Sequence, residues 1–256
     1  MPVDIWLTGM TTYDGKKIVI TGGSSGIGLA AARLFADGGA HVLITGRTRS
    51  TLDTALEQLG GKAIAVRSDA ASLTDIKALA GTVQERFGAV DALFVNAGVT
   101  ASAPFDSTTE EMYDALFGVN TKGPYFTVQA LAPLLREGSG VVLTTSVVNV
   151  LGVDALSVYS ASKAALRSMT RTLARELLPR KVRVNAVSPG PIDTGILDRS
   201  VPADVLETMK DTYRSTIPMQ RLGSSEEVAA AVAYLAFGAT FSTGTEFPVD
   251  GGGSQL

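Results

Sequence analysis

Lys17–Gly28 reads K-I-V-I-T-G-G-S-S-G-I-G, and the fold turns on this stretch. Its first five residues are an apolar run closed by threonine, the pattern of a buried strand. Its last residues open Gly26–Ala36, rich in Ala and Leu, which reads as a helix. Gly22, Gly26 and Gly28 fall at the strand-to-helix turn, spaced G-x-x-x-G-x-G. Glycine there lets the backbone turn tightly and approach a pyrophosphate, which then rests on the helix N-terminus. Ser24, Ser25 and Ile27 lie in the same turn and are candidate cofactor contacts with the three glycines. The stretch also reads G-x-S-x-G, the nucleophile elbow of an α/β-hydrolase. That chemistry needs a histidine later in the chain. The only histidine is His41, at the start of the next strand, so the hydrolase reading fails on inventory.

Outward from this turn, strands and helices alternate. Strands are expected at 41–45, 63–67, 92–95, 140–145, 182–187 and 246–249. Helices are expected at 50–59, 73–87 (capped by Ser72), 110–135, 157–178, 202–213 and 226–237. Near-continuous apolar strands separated by helices indicate a parallel sheet covered on both faces. The expected fold is α/β: one Rossmann-type, doubly wound parallel sheet of about seven strands in a single domain over residues 13–256. Residues 195–219, rich in Asp, Arg, Lys and Pro, are expected to form a surface lid over the substrate. Residues 1–12 hold Trp6 and Leu7 but no basic n-region and no long apolar core. They read as an N-terminal extension and not as a signal peptide, with Met10 an alternative start.

Composition narrows the function. The chain has 256 residues, 45% hydrophobic, with net charge −3, no cysteine and one histidine. A mildly acidic balance offers no footprint for nucleic acid, and no apolar run is long enough to cross a membrane. Disulfides and thiolate metal sites are excluded, and His-based metal sites and triads are strongly disfavoured. No metal is expected, and the expected compartment is the cytoplasm.

A different acid/base is therefore needed. Tyr159 and Lys163 are four residues apart in a helical stretch, so they share one face. A phenol with a pKa of about 10 exchanges protons poorly at neutral pH, and a cation within about 4–6 Å stabilises the phenolate. Ser146 ends the apolar run V-V-L-T-T, where a strand-end hydroxyl can meet that helix at the mouth of the sheet. The second strand ends Thr45-Gly46-Arg47-Thr48-Arg49, with no carboxylate between Asp37 and Asp53 to hold an NAD ribose. An arginine there grips a 2′-phosphate, so NADP is favoured over NAD.

In order, T-G-G-S-S-G-I-G, N-A-G at 96–98, V-N at 119–120, Ser146, Y-S-A-S-K at 159–163, S-P-G-P-I-D-T at 188–194 and V-D-G-G at 249–252 make the chain resemble the short-chain dehydrogenase/reductases. The resemblance spans about Gly15 to Gly253. It implies that Tyr159 is the general acid/base and that Lys163 lowers its pKa and holds the nicotinamide ribose. It further implies that Ser146 hydrogen-bonds the substrate oxygen and that Asn120 positions a water linking Lys163 to solvent. Asp69 would meet the adenine, and Asn96, Ala97 and Gly98 the adenine-ribose side. Pro189, Gly190, Ile192 and Thr194 would hold the nicotinamide end. One departure is Ser25, where many NADP-dependent relatives carry a basic residue; Arg47, with help from Arg49, is left to hold the phosphate.

The activity implied is hydride transfer between NADP(H) and a ketone, aldehyde or secondary alcohol. The alternatives are a 3-oxoacyl carrier-protein-type reductase and a catalytically silent nucleotide-binding regulator. Val147, Val148, Val150, Leu151 and Leu156 lie between the serine and the tyrosine, with no Lys, Arg or His among them. That favours an uncharged small-molecule substrate, although Arg199, Lys210 and Arg214 of the lid are candidates to reach a carboxylate or phosphopantetheine. The resemblance also implies a homotetramer or homodimer built on helices 110–135 and 157–178.

Overall fold

The computed structural model describes residues 12–195 and 203–256. Most of the expected N-terminal extension, and Arg199 with the first part of the expected lid, lie outside the described residues. The strands are β1 (Lys17–Thr21), β2 (His41–Gly46), β3 (Ala63–Arg67), β4 (Val90–Val95), β5 (Leu135–Thr144), β6 (Arg183–Pro189), β7 (Ile192–Asp193), β8 (Gly223–Ser224) and β9 (Glu246–Val249). The helices are α1 (Gly26–Asp37), α2 (Arg49–Gln58), α3 (Leu73–Phe87), α4 (Glu110–Phe117), α5 (Gly123–Leu131), α6 (Ser157–Leu177), α7 (Ala203–Thr216) and α8 (Ser225–Ala233).

Seven strands form one parallel sheet in the order β3-β2-β1-β4-β5-β6-β9, and β7 and β8 make a separate two-stranded ladder. The chain winds outward from β1 to β3, then returns to place β4 on the other side of β1. The crevice at that reversal is where such sheets bind ligands. Apolar side chains on the two faces build two cores. One packs α1 and α8 around Phe35, Ile20 and Val232; the other packs α3, α5 and α6 around Leu93, Leu143 and Leu166. Both faces are covered, which explains why the strands lack polar alternation.

The sequence reading needs correction in one element. Residues 110–135 are not one helix. α4 ends at Phe117, a π-type turn covers Gly118–Lys122, and α5 runs from Gly123 to Leu131. A 3₁₀ turn then carries Pro133, and β5 already begins at Leu135. Proline in a helix interior removes a backbone donor, so each proline sits near the start of its segment, where donors are free. The expected lid holds α7, and Ile217 and Met219 then pack against the turn at Gly251.

Candidate active site

The glycine turn is built by close approach. Gly22 has φ +66, and a Cβ there would lie 2.9 Å from Ala97 Cα. A Cβ at Gly28 would fall 2.2 Å from the Gly22 carbonyl oxygen. Gly28 therefore lies behind the turn as a packing contact. Ser25 precedes α1 in an extended conformation, yet its hydroxyl makes no capping bond, and the first turn of α1 carries no acidic residue. The first N–H groups of α1 are thus left for an external anion. This open end fits the pyrophosphate of a dinucleotide.

In front of the turn lies a cleft of about 420 Å³ at the C-terminal ends of the strands. Ser24, Ser25, Gly26 and Ile27 line it beside Gly22, and Arg47 and Asp69 follow β2 and β3 on one side. Asn96, Ala97 and Gly98 line it from the end of β4. Ser146, Tyr159 and Lys163 line it on the opposite side, with Pro189, Gly190, Ile192 and Thr194 after β6. Of the candidate catalytic and cofactor residues, only Gly28, Asn120 and Arg49 do not border this one space.

The chemistry-bearing side chains are held from different elements. Ser146 follows β5 and starts a 3₁₀ turn over Val147–Asn149, and its hydroxyl caps nothing. Lys163 is buried on α6; its Nζ donates to the Thr144 carbonyl at 2.8 Å and lies 5.8 Å from the Tyr159 ring centre. Burial pushes the Lys163 ammonium down from 10.5 to about 8. A Cβ at Gly98 would meet Lys163 Nζ at 3.4 Å and Asn120 Oδ1 at 3.3 Å, so the bare glycine makes room for both groups.

Asn120 sits in the π-type turn, fully buried. Its Oδ1 accepts from the Val99 N–H, and its Nδ2 donates to the Val99 carbonyl and to Ser162 Oγ. Ser162 Oγ in turn donates to the Tyr159 carbonyl at 2.7 Å. The Asn120 amide is thus a strut between the loop after β4 and the helix of Tyr159 and Lys163. Turns of this kind inside helices often mark functional sites.

Residues of separate motifs are joined by bonds that the sequence reading did not foresee. Thr21 Oγ1 accepts from the N–H groups of Asn96 and Ala97, and Asn96 Nδ2 donates to the Gly22 carbonyl. Thr144 Oγ1 donates to Asn96 Oδ1. These bonds join residues some 50 to 75 positions apart, out of reach of any local pattern.

After β2, Arg47 is exposed. Arg49, expected to help it, is instead paired with Asp53 at 3.0 Å. Arg67 donates from Nε to the Arg47 carbonyl at 3.0 Å and so steadies that turn. Gly46 is closely packed: a Cβ would meet Ser24 Oγ at 3.0 Å and a Leu52 methyl at 3.2 Å. In the lid, Lys210 is buried beside Asp193 at 3.5 Å and Arg214 pairs with Asp211 at 2.6 Å, so neither stands as a free clamp for a substrate anion. Between serine and tyrosine the apolar residues divide. Val147 belongs to the core, while Val150 and Val153 are 50% and 43% exposed.

A parallel sheet with an open helix end at its reversal point, and a buried lysine one turn from a tyrosine, defines the class of dinucleotide-dependent oxidoreductases. Comparison with known proteins narrows the class. Residues 22–254 match the family model described as enoyl-(acyl carrier protein) reductase. The chain is 38% identical over 94% of its length to oxidoreductase asL5 of Sarocladium schorii, covering 97% of that protein. It is 37% identical over 93% of its length to the 3-oxoacyl-[acyl-carrier-protein] reductase FabG of Thermotoga maritima, covering 98% of it. Among solved structures, the short-chain dehydrogenase/reductase (glucose/ribitol dehydrogenase) of Brucella melitensis superposes with TM-score 0.89 at 32% identity, covering 96% of this chain and 99% of that one. The Pseudomonas aeruginosa RhlG/NADP active-site complex superposes with TM-score 0.88 at 28% identity, covering 97% and 100%. The chain belongs to the short-chain dehydrogenase/reductase family, oxidoreductases that act on alcohol and ketone groups with nicotinamide cofactors. Among the described residues no helix is long and apolar enough to cross a membrane, and no cluster of side chains suits a metal ion.

Proposed function

We propose that this chain is an NADP(H)-dependent carbonyl reductase for uncharged, largely apolar ketones or aldehydes. The observation that carries the reading is the convergence of Ser146, Tyr159 and the buried Lys163 on one end of the cleft. When bound, the reduced nicotinamide supplies the hydride. Ser146 donates a hydrogen bond to the substrate oxygen and stabilises the charge that builds there. Tyr159 gives its proton to that oxygen as general acid. Lys163 stabilises the phenolate left behind, and its hydrogen bond to the Thr144 carbonyl keeps the ammonium in place. Asn120 holds the helix carrying both groups against the loop after β4. Exposed Val150 and Val153 beside the serine turn suit an apolar substrate.

The NADP preference rests on Arg47, exposed at the adenosine side with Gly46 in place of a carboxylate. A charged hydrogen bond to a 2′-phosphate contributes about 1.5–3 kcal/mol, or about one to two decades in affinity. The P. aeruginosa neighbour is an RhlG/NADP complex, which supports the same choice. The FabG relative supports a second substrate reading, a 3-oxoacyl thioester. Exposed Tyr113 and Tyr125 on α4 and α5 support assembly through these helices as a homodimer or homotetramer. Sedimentation as a monomer at micromolar concentration would remove that part.

The test is consumption of NADPH and of NADH across a panel of ketones, aldehydes and a 3-oxoacyl thioester, with wild type and Arg47→Ala. Turnover favouring NADPH, with the preference lost in Arg47→Ala, supports the assignment. No turnover of any carbonyl with either cofactor would leave the silent regulator as the better reading. An unchanged cofactor ratio in Arg47→Ala would overturn NADP alone.

A further inference from the structure

We propose that Glu246, on the edge strand β9, is a positioning residue that sets the Ser146 hydroxyl against Tyr159; the proposal rests on the carbonyl reductase reading above. An edge-strand carboxylate ordinarily faces water. The side chain of Glu246 is only 14% exposed. Register explains its course. Glu246 pairs with Ala186 of β6, and Ala186 pairs with Leu143 of β5, so the three share one face of the sheet. Ala186 is a methyl group low on that face. The carboxylate passes over it and reaches the end of β5.

There it meets donors from both halves of the catalytic constellation. Oε1 accepts from Thr145 Oγ1 at 2.5 Å and from Asn149 Nδ2 at 2.6 Å. Oε2 lies 2.9 Å from Arg167 Nε. The Arg167 N–H is poorly aligned, so this last contact is a charge pairing more than a hydrogen bond. Thr145 Oγ1 is also 3.1 Å from the Val187 carbonyl. A hydroxyl has one proton to give. The Glu246 carboxylate is the nearer acceptor and a charged one, so the Thr145 proton goes to Glu246.

The identity of these partners carries the argument. Thr145 immediately precedes Ser146, and Asn149 ends the 3₁₀ turn that follows it. Arg167 stands one helical turn beyond Lys163 and two beyond Tyr159 on α6. One carboxylate therefore pins the backbone on both sides of the serine and fastens it to the helix of the tyrosine and lysine. Ser146 Oγ has no hydrogen bond of its own among the described residues, so the backbone on either side determines where it points. A misplacement of about 1 Å in such a group costs on the order of 100-fold in rate. Glu246 touches neither cofactor nor substrate in this scheme; it acts through Ser146.

The test is a cycle of Glu246→Ala, Ser146→Ala and the double variant, assayed for kcat and KM on a ketone that wild type reduces, with dinucleotide affinity and thermal midpoint measured on each. Glu246→Ala should lower kcat by roughly 10- to 100-fold, with dinucleotide affinity within about two-fold of wild type. The double variant should be no slower than Ser146→Ala alone, because residues acting as one unit are non-additive. Thr145→Val keeps the side-chain shape, removes one of the two Oε1 donors, and repeats the cycle should Glu246→Ala fail to fold. Glu246→Gln retains an acceptor and should recover part of the lost kcat. An unchanged kcat in Glu246→Ala, or losses that multiply in the double variant, would overturn the proposal while leaving the reductase reading intact. A wild type inert toward every carbonyl overturns that reading and this proposal together.

Discussion

Helices α1 and α8 lie side by side on one face of the sheet, and their N-termini are finished in opposite ways. α8 is closed. Ser224 accepts from the Glu227 N–H, the Glu227 carboxylate accepts from the Ser224 N–H, and Arg221 pairs with that carboxylate at 2.6 Å. Glu226 adds a second negative charge to the same turn. α1 is open. It also has a serine before its first turn, yet that hydroxyl caps nothing and no acid follows. The two helices face the same problem, four unpaired N–H groups and a partial positive charge. α8 solves it from within. α1 leaves it for a ligand, and its glycines clear the space. A serine precedes both helices; the acids that follow Ser224, and their absence after Ser25, separate the two ends.

The cleft side should separate binding from chemistry, which the closed side cannot do. Tyr159→Phe should lower turnover by about 10²- to 10⁴-fold, the usual share of general acid catalysis, with dinucleotide affinity unchanged by titration. Near wild-type turnover would remove Tyr159 from its role.

Closing the open end is the next break. Ser25→Asp gives α1 the charge that α8 already has. Thermal unfolding of the cofactor-free protein should rise by about 0.3–1 kcal/mol, the contribution of an acid at a helix start. Dinucleotide affinity should fall by about one to two decades, as an anionic pyrophosphate loses its charged contact. A variant that binds the dinucleotide as wild type does would show that α1 is not the anion site. The reciprocal change is smaller. Ser224→Ala should cost about 1 kcal/mol of stability by denaturant unfolding and leave dinucleotide affinity alone.

Both sides should gain stability as pH rises, each in its own window. Burial holds Lys163 at about 8 against 10.5 when free, so its charge opposes folding below about pH 8. As pH rises from about 8 to 10.5 the folded chain sheds that proton first, and wild type should gain stability relative to Lys163→Met. Glu227 is held at about 2 against 4.5, by the Arg221 hydrogen bond first and the Ser224 N–H second. Its contribution is complete above pH 4.5 and is lost as pH falls toward 2, so Glu227→Gln should flatten that part of the acid unfolding curve. Glu227 is largely exposed, so this last effect is the smallest, screened by solvent and salt.

The sequence by itself determined whatever depends on local spacing. The glycine turn, the four-residue step from Tyr159 to Lys163, the Ser72 cap on Leu73–Phe87 and the strand Glu246–Val249 are each set by neighbours a few positions away, and each stands where the pattern put it. Alternating strands and helices likewise required a parallel sheet, because only helices on both faces bury strands that are apolar throughout. Tertiary structure decided the rest. The break of residues 110–135 into α4, a π-type turn and α5 follows the strut that Asn120 makes to Val99 and Ser162. The commitment of Lys210 to the Asp193 side, 17 positions away, is likewise set by the fold. The reach of Glu246 across β6 depends on a register between strands that sequence spacing does not record. Its partner Thr145 is 101 positions away in the chain and 2.5 Å away in space. Hydrogen bonds of that kind depend on which side chains the fold brings within 3 Å.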